Sequence, residues 1–380
     1  MSCFPIGNRM TRDFCILADD LTGALDAAAP LAARFGPAPV VWALDLESPP
    51  PVFTAGNVAM DTGTRNLPAD AVAHQMFRLS GCFANARIAF LKIDSLFRGH
   101  FPREFASLIK SGAFASALVA PAFPAQNRLT RDGQQFVADA SGATKPVGEN
   151  ILHTLARTVG AEGIPLRHVP AGSVPSGAAL FVCDAVNDDD LRRLTRNAER
   201  LPTPLLFVGS AGLARCLGTA KTLVPLPHGS RLVIAGSGHP ITRGQIAEAA
   251  AAAPDMGRIV VTPGGVEALP QDTQIVEIDV RDCAPDAHRA HLFDSLRSIH
   301  ERLTRPTCLM VSGGDTFRAV LESTGATRLM VEGEFAPGIA TGAIGGGAWD
   351  AVRFVSKSGA FGPPDIFTRF LRQASARTVE

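Results

Sequence analysis

The chain has 380 residues, 46% of them hydrophobic and 19% charged, and its 36 basic and 36 acidic side chains cancel. That length predicts two or three domains, each with a core of its own, and the composition excludes a disordered chain. Balanced charge offers no footing for a nucleic-acid or membrane-surface partner, and no apolar run reaches the roughly 20 residues that span a bilayer.

The opening "MSCFPIGNRMTR" lacks the apolar core of a secretory signal, so the cytoplasm is the expected compartment. Seven cysteines are scattered at 3, 15, 82, 183, 216, 283 and 308, with no Cys-x-x-Cys pair. They read as reduced, mostly buried thiols rather than as disulfides or a zinc site. There is no Tyr, which excludes a tyrosine general base.

Short β-rich runs alternate with helical stretches. Strands are expected at 14–18, 39–45, 56–62, 87–94, 115–123, 179–186 and 204–212, with helices beginning near Leu21 and over 68–80 and 102–111. "TLVPLPHGS" at 222–230 reads as a linker. The alternation then restarts with 231–238, a helix over 242–253, and strands around 258–265, 274–280, 306–315 and 351–362. Apolar strands alternating with helices predict an α/β chain of two domains, 1–227 and 228–380, each with a mostly parallel sheet flanked by helices. The Gly/Ala run at 342–348 reads as a loop.

Ligands of open parallel sheets sit beyond the carboxyl ends of the strands, and polar clusters follow several of the apolar runs. Asp19 and Asp20 follow 15–17; Asp61, Thr62 and Arg65 follow 57–60; Lys92, Asp94, Ser95 and Arg98 follow 87–91; Gln126, Arg128 and Thr130 follow 118–125. An Asp after a strand is also the ordinary N-cap of the next helix, but four such clusters in consecutive units point to a common site. Acids ringed by Arg and Lys suit a polyhydroxylated acid, with guanidinium groups on its carboxylate and Asp accepting from its hydroxyls.

The second half carries different chemistry. "AGSGHPIT" (235–242) and "VSGGDTFRAVL" (311–321) each run strand, glycine-rich turn, helix, which presents backbone N–H groups to phosphate. "SKSGAFG" (356–362) sets Lys357 among small residues. The P-loop pattern is absent, and no Gly-x-Gly-x-x-Gly follows the first strand. "GSAGLA" (209–214) reads equally as a structural turn, and "VTPGG" (261–265) as a turn only.

Taken in order, these motifs resemble the four-carbon acid sugar kinases, which phosphorylate tetronates such as threonate, erythronate or 3-oxo-tetronate with ATP. The resemblance rests on "ADDLTGALD" (18–26), "KIDSLFRG" (92–99), "PAFP" (121–124) with "NRLTRDG" (127–133), "GSAGLA", "GGDT" (313–316), the stretch 333–338 and "KSGAFG" (357–362). It covers nearly the whole chain, with departures from the family pattern at Leu96, His100 and Ala360. It implies a sugar-acid-binding N-terminal domain, an ATP-binding C-terminal domain, and a site between them that closes on its ligands.

Carried over position by position, the resemblance puts Asp19, Asp20, Arg65, Lys92, Asp94, Ser95 and Arg98 at the sugar acid. It puts Ser237, Gly313, Gly314, Asp315, Thr316, Lys357, Ser358 and Gly359 at the nucleotide. Asp20 or Asp94 would act as base toward the accepting hydroxyl, with the terminal O4 as the implied acceptor. Mg²⁺ would bridge the phosphates with few protein ligands, and Asp315 reads equally as its partner or as a helix cap. A homo-oligomer is compatible with this reading. The competing readings are a non-catalytic sensor of small acids and an NAD-dependent dehydrogenase.

Overall fold

The computed structural model describes residues 12–373 except 43, 45–55, 140, 161–162, 219–222, 263–264, 267–268, 271, 282 and 284–286. Cys3, the start of the chain and part of the expected strand 39–45 therefore lie outside the described residues. The chain divides into two compact units, Met1–Ala220 and Lys221–Glu380. Leu223 bridges to Glu334, and Val224 N donates to the Glu334 carbonyl at 3.0 Å, so the Pro-containing stretch begins inside the second unit.

The first unit runs β1 (Arg12–Ala18), α1 (Leu21–Phe35), β2 (Ala38–Val41), β3 (Val58–Asp61), α2 (Ala69–Leu79), β4 (Ala86–Lys92), α3 (Phe101–Lys110) and β5 (Ser116–Ala120). It continues β6 (Arg128–Arg131), β7 (Gln134–Ala138), β8 (Thr144–Val147), α4 (Ile151–Val159), β9 (Leu166–Val169), β10 (Leu180–Cys183), α5 (Asp188–Asn197), β11 (Leu205–Gly209) and α6 (Ala211–Leu217). The main sheet has the order β2-β3-β1-β4-β11-β5-β10-β9, and all its pairings are parallel. Its central strands are apolar on both faces because both are covered. Cys15, Leu17, Met60 and Leu91 pack under α2, α3 and α4. Phe14 and Ile16, also fully buried, point the other way, toward α1.

Register aligns the strand ends. Ala18 stands opposite Asp61 and Lys92, Lys92 opposite Gly209, and Gly209 opposite Ala120. The polar residues beyond these strands consequently emerge along one edge. A separate antiparallel sheet, β6-β7-β8, sits outside this frame. The alternation of apolar runs gave no sign of it.

The second unit runs β12 (Arg231–Ala235), α7 (Pro240–Ala252), β13 (Gly257–Val261), β14 (Thr273–Ile278), α8 (His288–Ile299), β15 (Cys308–Ser312), α9 (Gly314–Ser323), β16 (Arg328–Ala336), β17 (Ile339–Gly345), β18 (Arg353–Lys357) and α10 (Ile366–Arg372). Its sheet has the order β13-β14-β12-β15-β18-β17-β16, parallel as far as β18 and antiparallel beyond. Ile246 of α7 and Phe367 and Phe370 of α10 cover one face over Val233, Met310 and Val355.

The α/β reading with mostly parallel, helix-flanked sheets holds. The loop expected at 342–348 does not: residues 342–345 continue β17 between β16 and β18. Small residues are needed there because a Cβ on Gly342 would collide with the Met330 carbonyl. Gly346 and Gly347, both at positive φ, and Ala348 lie in the turn that follows. Among the described residues, no helix is long and apolar enough to cross a membrane, and every described cysteine is a free thiol.

Candidate active site

At the carboxyl edge of the first sheet, β1 ends directly in Asp19 and Asp20. Asp20 caps α1: its Oδ1 accepts from Gly23 N at 2.9 Å, and its Oδ2 accepts from the Thr22 hydroxyl at 2.8 Å. The short 3-10 turn after β3, Thr64–Asn66, brings Arg65 across the pair. Arg65 donates Nε and Nη2 to the two oxygens of Asp19, at 2.8 and 2.9 Å, and Nη1 to Asp20 Oδ2 at 2.5 Å. All three guanidinium nitrogens are thus committed to the paired acids, and the bidentate fork fixes their orientation.

Burial pushes the Asp19 carboxyl up to about 6 against the pull of Arg65. Burial also works against an ionised Asp20, but Arg65 and Lys92 outweigh it and hold that carboxyl below the ordinary range. Of the two, Asp20 is the one that presents its side chain to solvent, at 21% exposure against 2% for Asp19.

The loop after β4 supplies the other half of the site. Asp94 Oδ1 accepts from Leu96 N at 2.8 Å, and Oδ2 accepts Arg98 Nε at 3.1 Å and Nη2 at 2.5 Å. Arg65 Nη2 stands 3.7 Å from the same oxygen. Despite burial, the hydrogen bonds and charge of Arg98 hold Asp94 down at about 2. Ser95 is buried, and its carbonyl accepts from Gln135 Nε2 on β7 at 3.1 Å. Phe97 sits in the left-handed region at φ 59, a strain of the kind that collects at binding sites. Gly99 follows at φ 88, where a Cβ would stand 2.9 Å from Asp19 Oδ2, so only glycine lets this loop approach the acids.

One residue that reasoning from sequence passed over, and one that it noted without a role, belong to this cluster. Glu104 of α3 is 1% exposed and accepts a short hydrogen bond from the Thr64 hydroxyl, beside Arg65. Burial and the Asp19 charge push its carboxyl up to about 8. The signal was available: Phe101, Glu104, Phe105 and Leu108 share one helical stripe, which places an acid on an apolar face. Arg128, noted but not assigned, enters β6 within the electrostatic reach of Asp94 and Arg98. "GSAGLA" is structural: Ser210 caps α6 and its hydroxyl donates to the Ala122 carbonyl at 2.9 Å.

In the second unit, the ends of β12, β15 and β18 align, with Ala235 opposite Ser312 and Ser312 opposite Lys357. Three turns converge there. Gly313, at φ 111, starts α9, and the N–H groups of Gly314, Asp315 and Thr316 lie in its first turn, beyond any intrahelical acceptor. A Cβ on Gly313 would stand 3.0 Å from Thr316 Oγ1 and 3.6 Å from Ser237 Cβ, and one on Gly359 would strike the Ser237 hydroxyl. Glycine thus lets these turns pack closely, and unbonded backbone N–H groups at a helix start are groups that can hold phosphate oxygens. His239 is a cap: its Nδ1 accepts from Ile241 N at 3.2 Å.

Lys357 lies beneath these turns and is fully buried. Its Nζ donates to Ser312 Oγ at 2.8 Å, the Ser358 carbonyl at 3.1 Å and Thr242 Oγ1 at 3.3 Å. It therefore tethers the three turns to one another. Asp315 is partly exposed and lies 3.7 Å from Arg289 Nε. No cluster of three or more His, Cys, Asp or Glu suited to a metal occurs among the described residues.

Residues 14–217 match the family model described as a sugar-binding N-terminal domain, and residues 267–367 the one described as a nucleotide-binding C-terminal domain. The chain is 30% identical to a D-threonate kinase of Cupriavidus necator, covering 91% of this chain and 94% of that one. It is 30% identical to a D-threonate kinase of Bordetella bronchiseptica, with coverage of 93% and 95%. It is 26% identical to a 3-oxo-tetronate kinase of Burkholderia multivorans, with coverage of 94% and 96%. A solved structure from Haemophilus influenzae shares the fold over 96% of this chain and all of that one, with a TM-score of 0.61 at 17% identity.

Proposed function

The chain belongs to the tetronate kinase family, and from that premise we propose that it transfers the γ-phosphoryl group of ATP to a hydroxyl of a four-carbon sugar acid. The observation that carries this reading is the lattice of Asp19, Asp20, Arg65, Asp94 and Arg98 at one sheet edge. It is an array of carboxylates and guanidiniums matched to a hydroxylated anion. The sensor and dehydrogenase readings lack comparable support, since the relatives are kinases and the second half matches a nucleotide-binding domain. D-threonate is the first candidate substrate, because the D-threonate kinases match at 30% identity and the 3-oxo-tetronate kinase at 26%.

Asp20 is the base we favour. Its carboxylate is ionised and, although Arg65 holds it as Arg98 holds Asp94, it reaches solvent more than the other two, at 21% side-chain exposure against 10% for Asp94 and 2% for Asp19. Phosphoryl transfer passes through a loose transition state that demands alignment more than base strength, so a low-pKa carboxylate suffices to take the proton from the attacking hydroxyl, the terminal O4 in this reading. Asp19 acts on the substrate through Arg65, which holds Asp20 in place. Lys92 and Arg98 offset the substrate's charge, and Ser95 lines the turn between Asp94 and Arg98.

On the nucleotide side, first-turn N–H groups at Gly314, Asp315 and Thr316 hold phosphate oxygens. Ser237, Gly313, Ser358 and Gly359 shape the cradle, and Lys357 fixes it from below. Mg²⁺ fits this site only as a phosphate-borne ion: Asp315 is the one nearby carboxylate among the assigned residues, and the ion would neutralise developing charge on the phosphates. ATP use and free thiols favour a cytoplasmic location in this reading.

The test is ADP release from MgATP across the stereoisomers of threonate, erythronate and 3-oxo-tetronate, with the phosphorylated position read by phosphorus NMR. Turnover with D-threonate at O4 is expected. Absence of turnover above background with every tetronate would overturn the reading.

A further inference from the structure

Charge is unevenly matched at the sugar-acid edge. Arg65 spends Nε, Nη1 and Nη2 on Asp19 and Asp20. Arg98 spends Nε and Nη2 on Asp94. Lys92 lies within the field of Asp19, Asp20 and Asp94. Glu104, buried behind Asp19, bonds Thr64. Among the described residues, Arg128 is the guanidinium of this edge with no carboxylate bonded to it. Arg128 has only Asp94, which Arg98 already holds, and its own Nε is buried with no hydrogen-bond partner among the described residues. A buried guanidinium nitrogen left without an acceptor is costly unless a ligand supplies one.

Arg128 is also built into place. After the turn Pro124–Gln126 and Asn127 at φ 56, its backbone pairs both ways with Phe123, at 2.8 and 3.1 Å. The next inward residue of β6, Thr130, is fully buried. Its hydroxyl donates to Gln135 Oε1 at 2.7 Å, and Gln135 Nε2 donates to the Ser95 carbonyl at 3.1 Å. At the far end of the hairpin, Asp132 N and Gly133 N donate to the two oxygens of buried Asp184 at 2.8 and 2.9 Å. The hairpin is thereby fastened to the same Asp94–Arg98 turn whose charge Arg128 faces.

We infer that Arg128, on the β6–β7 hairpin, is the residue that receives the carboxylate of the sugar acid and makes the enzyme select an acid over the corresponding neutral polyol. This assignment rests on the tetronate kinase reading and adds to it. Asp94 and Arg98 are the charged groups facing Arg128. The substrate carboxylate supplies the missing anion, and two adjacent guanidiniums, Arg98 and Arg128, together hold one carboxylate.

The experiment compares wild type with Arg128→Gln and Arg128→Lys, measuring kcat and KM for the best tetronate and for the tetritol of the same configuration, with ATP saturating. Circular dichroism melts check that both variants fold. Arg128→Gln is expected to raise KM for the tetronate about 10- to 100-fold, as loss of a charge-assisted hydrogen bond does. It should leave KM for the tetritol and for ATP within a few-fold, so the preference for acid over polyol collapses. Arg128→Lys keeps the charge and should recover part of that preference. If Arg128 merely props up the hairpin, both acceptors will suffer equally and the acid-to-polyol ratio will stay at the wild-type value, which overturns the assignment. A wild-type protein inert toward every tetronate fails in a different place: it overturns the kinase reading, and this assignment with it.

Discussion

The two sheet edges solve the same topological problem with opposite materials. In the first unit, strands end in Asp19, Asp20, Lys92 and Asp94, and the edge is lined with charged side chains knotted together by Arg65 and Arg98, which in the reading proposed above recognise the sugar acid. In the second, strands end in Ser312-Gly313 and Lys357-Ser358, and the charge of Lys357 is buried as a tether. A hydroxylated acid varies in where its donors and acceptors lie, so side chains must be placed for it. A phosphate presents much the same oxygens in any nucleotide, and backbone N–H groups with nothing in their way are enough.

The sharpest way to break this comparison is at Asp20. Asp20→Asn keeps the cap on α1, because Asn caps as well as Asp, yet removes the proton acceptor. Turnover is expected to fall about 10²- to 10⁴-fold with little change in KM for the tetronate. Asp94→Asn, which frees Arg98, should instead raise KM. If Asp20→Asn stays within a few-fold of wild type in steady-state kinetics, the base assignment fails.

Gly313→Val attacks the other edge. Its φ of 111 is one that side chains rarely adopt, and the new Cβ would press on Thr316 Oγ1 at 3.0 Å. Strain of order 1–3 kcal/mol corresponds to roughly 5- to 150-fold, and the loss should appear in ATP affinity by calorimetry while tetronate affinity holds. Arg98→Ala should show the mirror image, with tetronate affinity down about 10- to 150-fold and ATP affinity intact. Equal loss of both ligands in either variant would abolish the division between the edges.

The smallest effect belongs to Glu104. Unfolded, it ionises near its ordinary 4.5; folded, it is held at about 8. The folded state thus carries an extra proton between those values, and stability falls as pH rises from about 4.5 to beyond 8. Glu104→Gln removes that dependence. Melts at pH 6 and pH 9 should show the wild type losing several degrees more than the variant, on the order expected for about 2–3 kcal/mol in a unit of this size. Identical pH slopes would show that Glu104 ionises normally.

Much of the first edge was legible in the sequence. Continuous apolar runs announce strands buried on both faces, and in a parallel sheet ligands bind just beyond the carboxyl ends of such strands. Asp19, Asp20, Lys92 and Asp94 needed only that rule. Arg65 was legible as a polar residue beyond β3 but not as the clasp of the paired acids, since its fork depends on a 3-10 turn that only the folded chain sets opposite β1. Glu104 was hidden by its helix: a lone acid among Phe101, Phe105 and Leu108 is visible only once the buried stripe is drawn. The glycine turns of the second edge were readable as turns, but not the descent of Lys357 beneath them, which the register of β15 and β18 dictates. The strand over 342–345 was misread because small residues that let two backbones approach look, in one dimension, like a flexible connection.

The antiparallel sheet β6-β7-β8 contributes no strand to the parallel frame. Its fastenings include the Phe123–Arg128 backbone pair, the Thr130–Ala185 backbone pair just past β10, the Gln135–Ser95 bond, the grip of Asp184 on Asp132 and Gly133, and the bonds of Gly133 and Asp132 to Ile151 and Asn150 at the start of α4. It is consequently an exchangeable cassette. Its length and its side chains can drift without shifting the register of β5 or β10, so long as those fastenings survive. A lineage built on this scaffold could change which acid it takes by rewriting the hairpin while the machinery of phosphoryl transfer stays unaltered, and a protein engineer could transplant residues 127–138 between relatives to the same end.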